Sequence, residues 1–122
     1  TSLDKGKIEQ VILNLITNAV DAMEGKENKV LRVRTDLEKT PGDADSLRIT
    51  VADNGTGISR KHRSVIYEPF FTTKESGKGT GLGLPISYSI VEDHGGTLRA
   101  DNNEWGGASF HVRLPVTVKT DV

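Results

Sequence analysis

Two short segments carry six of the chain's 13 glycines: Gly55 and Gly57 in VADNGTGI, and Gly77, Gly79, Gly81 and Gly83 in GKGTGLGL. Alternating glycines mark backbone that something must approach closely, because a Cβ would stand in the way. In the first segment an apolar run delivers Asp53 into the turn. A buried carboxylate there can accept a hydrogen bond from an exocyclic amine, the group by which an adenine is told from a guanine. A plain tight turn is the competing reading, since Asp, Asn and Gly are its usual residues. The second segment fits neither of the commoner phosphate-loop patterns. Gly79 follows Lys78 where a Walker A loop has Ser or Thr, and Leu84 stands where a dinucleotide fingerprint starting at Gly79 and Gly81 needs its third glycine. What remains is a glycine loop entering a helix, where free N–H groups and the helix dipole favour phosphate oxygens. Thr80 adds a hydroxyl there, and Lys74 or Lys78 a positive charge on a long stem. A flexible linker is the alternative, but linkers seldom lead directly into a long amphipathic helix. The third group is Asn14, Asn18 and Asp21, spaced i, i+4 and i+7 so that they form one polar stripe beside an apolar helix face. Asparagine is a weak helix former and two in mid-helix need a reason, although a solvated polar face would also supply one.

The elements that must position these groups are legible from periodicity. Ile8, Val11, Ile12, Leu15, Ala19, Ala22 and Met23 recur at helical spacing, which predicts a helix from about Asp4 to Glu24. VLRVRTDL alternates as a half-buried strand, TPGDADS (40 to 46) is a loop, and LRITVADN is a second strand running into the first glycine segment. Ser59 can cap a short basic helix from Arg60 to about Val65. Residues 67 to 80 lose all periodicity and read as a long, mobile loop serving a site. LGLPISYSIVEDHGG reads as a second long helix with its proline in the first turn and Gly95 and Gly96 closing it. TLRADNN and ASFHVRLPV form a hairpin through Glu104, Trp105, Gly106 and Gly107. Consecutive strands without an intervening helix favour an α+β arrangement, an antiparallel or mixed sheet layered against helices, over a doubly wound parallel sheet.

With 122 residues there is room for one domain, spanning 1–122. The chain opens on Thr1 and reads as one part of a longer protein. No apolar run is long enough to span a bilayer, and a net charge of −1 predicts no general affinity for nucleic acid or anionic membrane. The absence of cysteine rules out a disulfide framework and a thiolate metal site and fits a cytoplasmic domain.

Taken together, the segments resemble the catalytic, ATP-binding domains of sensor histidine kinases, within the superfamily that includes gyrase-type, mismatch-repair and heat-shock-chaperone ATPases. EQVILNLITNAVDAM is similar to the N box, DNGTGI to the G1 box, YEPFFTTK to the F box and GKGTGLGL to the G2 box, in the family's order. GGASFHVRLP resembles its last strand, and PFFTTK looks like the nitrogen-regulatory and oxygen-sensing branch. The resemblance implies a two-layer α/β sandwich, the Bergerat ATP-binding fold, with a mixed, mostly antiparallel sheet packed against helices on one face. It implies ATP and Mg2+ as ligands, with Asn18 on the metal and Asn14 near the phosphates. Asp53 would take the adenine amine, with Gly55 and Gly57 near the base and Ser109 helping through a water. Gly79, Thr80, Gly81, Leu82 and Gly83 would wrap the phosphates, Phe70 and Phe71 would anchor a lid, and Thr73 and Lys74 would ride on it, Lys74 as a γ-phosphate contact. Asn14 and Lys74 are the candidate catalytic residues. The implied partners are the kinase's own dimerisation domain, which bears the acceptor histidine, and a downstream response regulator. The isolated domain is then expected to be a monomer and the parent protein a homodimer. Two features depart from the pattern. TSLDKG leaves little room for the strand that often precedes the N box, and His62, His94 and His111 lack the acidic neighbour of a phospho-acceptor, so they read as structural or surface residues. A hydrolytic ATPase, a nucleotide-sensing pseudo-kinase and an anti-sigma serine kinase are the rival readings.

Overall fold

The computed structural model describes residues 4–39, 42, 45–57 and 83–116. Along them run α1 (Lys5–Ala22), β1 (Leu31–Glu38), β2 (Asp45–Asp53), α2 (Gly83–Asp93), β3 (Thr97–Asn102) and β4 (Ala108–Val116). Asp4 caps α1, its side chain accepting from Lys7 N at 3.1 Å and so satisfying one of the first-turn amides. Ile8, Val11, Leu15 and Ala19 then repeat every three or four residues and are buried together, as the periodicity predicts. Pro85 falls in the first turn of α2, where its missing N–H has no intrahelical acceptor to lose. Gly95, at φ +75°, turns the chain out of that helix while Gly96 N returns to Val91 O at 2.9 Å.

The four strands form one sheet in the order β1-β2-β4-β3, and all three pairings are antiparallel. The sheet expected to be mixed and mostly antiparallel is thus wholly antiparallel among the described residues. Register aligns Ile49 with Val112 and Val51 with Phe110, so one face presents a continuous apolar surface to α1 and α2. Phe110 is 2% exposed at its centre, and truncating a side chain so buried costs about 3–5 kcal/mol. The other face is polar, and no described element packs on it. Arg48 meets Glu38 at 2.8 Å, Arg113 also bonds Glu38, and Arg32 lies over the Trp105 ring at 4.7 Å. Such exposed ion pairs contribute little to stability.

α1 ends at Ala22, two residues before the expected Glu24, and β2 begins at Asp45, inside the expected loop. The extra strand residues pair across to β4, Asp45 with Val116 and Ser46 with Pro115, so tertiary pairing overrides their turn-like character. The expected short helix at Arg60–Val65 and the loop at 67 to 80 lie outside the described residues. His94 has the structural role expected of it. Its Nδ1–H donates to Ile90 O at 2.7 Å, and its Nε2 accepts from Asp4 N at 3.1 Å. A carbonyl can only accept and an amide can only donate, so the ring is held as the neutral Nδ1–H tautomer, tying the start of α1 to the end of α2.

Candidate functional site

β2 carries Asp53 to the end of the sheet, where the carboxylate is fully buried. Its Oδ1 accepts from Gly55 N at 2.8 Å and Ala108 N at 3.2 Å. Its Oδ2 has no hydrogen-bond partner among the described residues. Burying an unpaired carboxylate oxygen is costly, and a native structure retains such a group where a ligand or water completes it. An exocyclic amine is a donor of the right kind, so this geometry fits an adenine.

The surrounding turn is braced from both sides. Asn54 accepts from Val30 N at 3.0 Å and donates to Asn28 O at 2.7 Å, fixing the entry to β1. Gly55 lies against α1 so closely that an added Cβ would stand 2.3 Å from Ala22 O. The close approach that this glycine allows is therefore to a neighbouring helix as well as to any ligand. Asn103 holds the opposite wall: its Nδ2 donates to Asp53 O at 2.9 Å and Ser109 Oγ at 3.1 Å. Its Oδ1 accepts from Trp105 N at 3.0 Å and Gly107 N at 3.1 Å.

The polar stripe on α1 leads to this turn. Asn14, Asn18 and Ala22 follow one another at i, i+4 and i+8, and Thr56 N donates to Ala22 O at 3.3 Å. At the other end of the stripe, Asn14 Nδ2 donates to Ser87 Oγ at 3.3 Å, one turn into α2 from Gly83. Asn14 and Asn18 are both half-buried, and Ser87 is completely buried. Hydrogen bonds thus tie α1 to the Asp53 turn at Ala22 and to α2 at Asn14. On α2 the Tyr88 hydroxyl bonds Glu92, which together with that carboxylate's charge raises the pKa of the phenol.

Of the residues expected at the site, Asn14, Asn18, Asp53, Gly55, Gly57 and Gly83 lie among the described residues: Asn14 and Asn18 on α1, Asp53 at the end of β2, Gly55 and Gly57 in the turn after it, and Gly83 at the start of α2. Ser109 is placed differently. It lies opposite Ala52 in the ladder, with its Oγ bonded to Asn103 and facing the same concavity as Arg32, Thr50 and His111 on the polar sheet face. A water link from Ser109 to a base held by Asp53 has no support in that geometry. Phe70, Phe71, Thr73, Lys74, Gly79, Thr80, Gly81 and Leu82 lie outside the described residues. Sequence reasoning misses Ser87 and Asn103. Ser87 has a signal, being a lone polar residue in line with the apolar Ile90 and Val91 at i+3 and i+4. Asn103 has only a turn context to mark it.

Residues 3–118 match the family described as histidine kinase-, DNA gyrase B-, and HSP90-like ATPase. The two-component sensor PprA of Pseudomonas aeruginosa is 44% identical over 116 residues, which are 94% of this chain and 12% of that protein. The sensor protein FixL of Bradyrhizobium diazoefficiens is 39% identical, over 92% of this chain and 21% of its own length. This chain therefore spans about a fifth or less of these relatives. Among solved structures, the catalytic domain of histidine kinase ThkA superposes with a TM-score of 0.76 at 36% identity, covering 93% of this chain and 69% of that one.

Proposed function

Because the chain belongs to the histidine kinase-, DNA gyrase B-, and HSP90-like ATPase family and is an ATP-binding domain of that kind, we propose that it presents ATP for phosphoryl transfer to a histidine on a separate dimerisation domain. A response regulator would then receive the phosphoryl group. The observation that carries the nucleotide reading is the buried, unpartnered Oδ2 of Asp53. An adenine amine would complete it, whereas a guanine offers a carbonyl there and would set two acceptors against each other.

In this reading the base lies at the Asp53 turn and the phosphates reach along α1 toward the first turn of α2. Asn18 offers its amide oxygen to magnesium, a hard cation that prefers oxygen ligands. Magnesium would neutralise charge on the transferring group. Asn14, set by Ser87, would orient the phosphate end, with Lys74 as a γ-phosphate contact. The amides of Gly79, Thr80, Gly81, Leu82 and Gly83 would wrap the phosphates, and Phe70, Phe71 and Thr73 would belong to the lid. Positioning and charge neutralisation are most of what such transfer asks of a protein. A carboxamide at position 14 cannot abstract a proton from water, which favours transfer over hydrolysis.

Calorimetric titration with Mg-ATP and Mg-GTP tests the reading. Wild-type protein should prefer ATP, and Asp53→Asn should lose about 1.5–3 kcal/mol of ATP binding, the value of a charge-assisted hydrogen bond. Equal affinity for the two nucleotides in the wild type would remove the adenine role of Asp53. The described helices include none long and apolar enough to cross a membrane.

A further inference from the structure

β1 is an edge strand: β2 pairs with one side, and no strand pairs with the other among the described residues. Among the described strands α1 packs chiefly on β2, and α2 on β3 and β4, so β1 lies to the side of both described helices. Its apolar residues are left open, with Leu31, Val33 and Leu37 at 38%, 46% and 44% exposed. An open strand edge is a template for another strand, and proteins ordinarily guard it with charged side chains, proline, a bulge or a covering element. The guard on β1 is charge of both signs. Its outward face reads Arg32, Arg34, Asp36, Glu38, two positive charges followed by two negative.

We propose that this edge pairs antiparallel with β1 of a second copy of the chain, about a two-fold axis at Thr35, joining two four-stranded sheets into one. The charges select this register. Face matching requires partners of the same parity, because side chains alternate between faces with period two. A two-fold at Arg34 would set Arg34 against itself, and one at Asp36 would set Asp36 against itself. Only the axis at Thr35 gives opposite signs throughout, with Arg32 facing the second copy's Glu38 and Arg34 facing its Asp36. On the other face it sets Val33 against Leu37, so exposed apolar surface is covered in the same step. A parallel pairing in register would stack like charges. Arg32, which has Trp105 beside it but no carboxylate partner among the described residues, gains one in the pair. Two eight-residue edges bury less than the roughly 800 Å² per partner of a standard stable interface, so the association is weak and depends on concentration and salt. The monomer expected of the isolated domain is then its dilute state.

Sedimentation across a concentration series at low salt tests this directly. Wild-type protein should approach twice the monomer mass as concentration rises, and added salt should reverse the shift. The double variant Arg32→Glu with Arg34→Glu makes the strand wholly acidic, and Asp36→Lys with Glu38→Lys makes it wholly basic. Each should stay monomeric alone, and a one-to-one mixture should recover the dimer. Register is read separately from Thr35→Cys, the sole thiol in a chain without cysteine. At the axis the paired Cα atoms lie within disulfide reach, whereas two copies of Leu37→Cys would be offset by four residues, about 13 Å. The first should cross-link under mild oxidation much faster than the second. A wild type that stays monomeric at its solubility limit in low salt, folded charge variants that fail to pair when mixed, or equal cross-linking of the two cysteine variants would each overturn the proposal.

Discussion

Asp53 places its two carboxylate oxygens differently, Oδ1 accepting from the backbone of Gly55 and Ala108 and Oδ2 having no hydrogen-bond partner among the described residues. Its replacement by asparagine therefore tests recognition with least disturbance when the amide oxygen takes the Oδ1 position. Asn14 depends on a neighbour too, since Ser87 Oγ accepts from its Nδ2 at 3.3 Å. If Asn14 orients the phosphate end, Ser87→Ala should leave the adenine contacts intact and release the Asn14 rotamer. Loss of one neutral hydrogen bond, about 1 kcal/mol, predicts a roughly fivefold fall in kcat for transfer to a supplied acceptor domain, with ATP affinity little changed. Ser87→Thr, which keeps the hydroxyl, should recover most of the rate. An equal loss in ATP affinity would mark Ser87 as packing alone. The sequence marks Asp53 only as the end of a strand running into a glycine turn, a pattern that a plain tight turn shares, so its burial and the missing partner of Oδ2 are visible in the structure alone. The helper role that the resemblance implies for Ser109 conflicts with an orientation the sequence also holds. With Phe110, Val112 and Leu114 turned inward, period-two alternation sends Ser109, His111 and Arg113 to the other face.

Long periodic elements are readable for a physical reason. α1 and the β3–β4 hairpin bury one side each, so their apolar spacing has to match the backbone repeat. β2 extends two residues beyond its periodic signal because Asp45 and Ser46 are placed by pairing with β4, information absent from the local sequence. The close contacts of glycines are only half legible, since spacing shows that something comes near without showing what. The structure identifies it and predicts opposite signs for one kind of substitution. At Gly107 an added Cβ would stand 2.1 Å from Asp53 O and 2.6 Å from Asp53 Oδ1. Gly107→Ala should therefore destabilise the domain by about 1–3 kcal/mol and weaken nucleotide binding with it, because the wall behind Asp53 must shift. Gly6 lies in the first turn of α1 with only Asp4 Oδ1 at 3.6 Å from its notional Cβ, an ordinary contact. Gly6→Ala should stabilise the protein by about 0.4–1 kcal/mol through reduced freedom of the unfolded chain. Thermal unfolding of the two variants against wild type checks both signs, and a Gly107→Ala protein as stable as wild type would show that the hairpin yields without cost.

At the scale of the whole molecule, the described histidines are occupied with structure. Both His94 ring nitrogens are hydrogen-bonded and the residue is buried, so it offers no free lone pair to an incoming phosphoryl group. His111 sits on the polar sheet face, Nδ1 3.4 Å from Thr50 Oγ1 and Nε2 3.9 Å from Asp101 Oδ2. His62 lies outside the described residues, and its sequence neighbour Arg63 is not the acidic residue that follows an acceptor in the resembling kinases. Incubated alone with labelled ATP, the chain should accumulate no phosphohistidine and should hydrolyse ATP slowly, because the carboxamide of Asn14 cannot abstract a proton from water. A dimerisation domain supplied in trans should restore transfer, but weakly, since a reaction otherwise tethered becomes bimolecular and loses its effective concentration. If Asn18 ligates magnesium as proposed, Asn18→Ala should abolish that transfer while leaving the fold intact, because the half-buried Asn18 side chain is no part of the apolar core. Far-ultraviolet circular dichroism alongside the transfer assay separates the two effects. Rapid hydrolysis without an acceptor, lost on Asn14→Ala, would instead place the chain with the hydrolytic ATPases of its family.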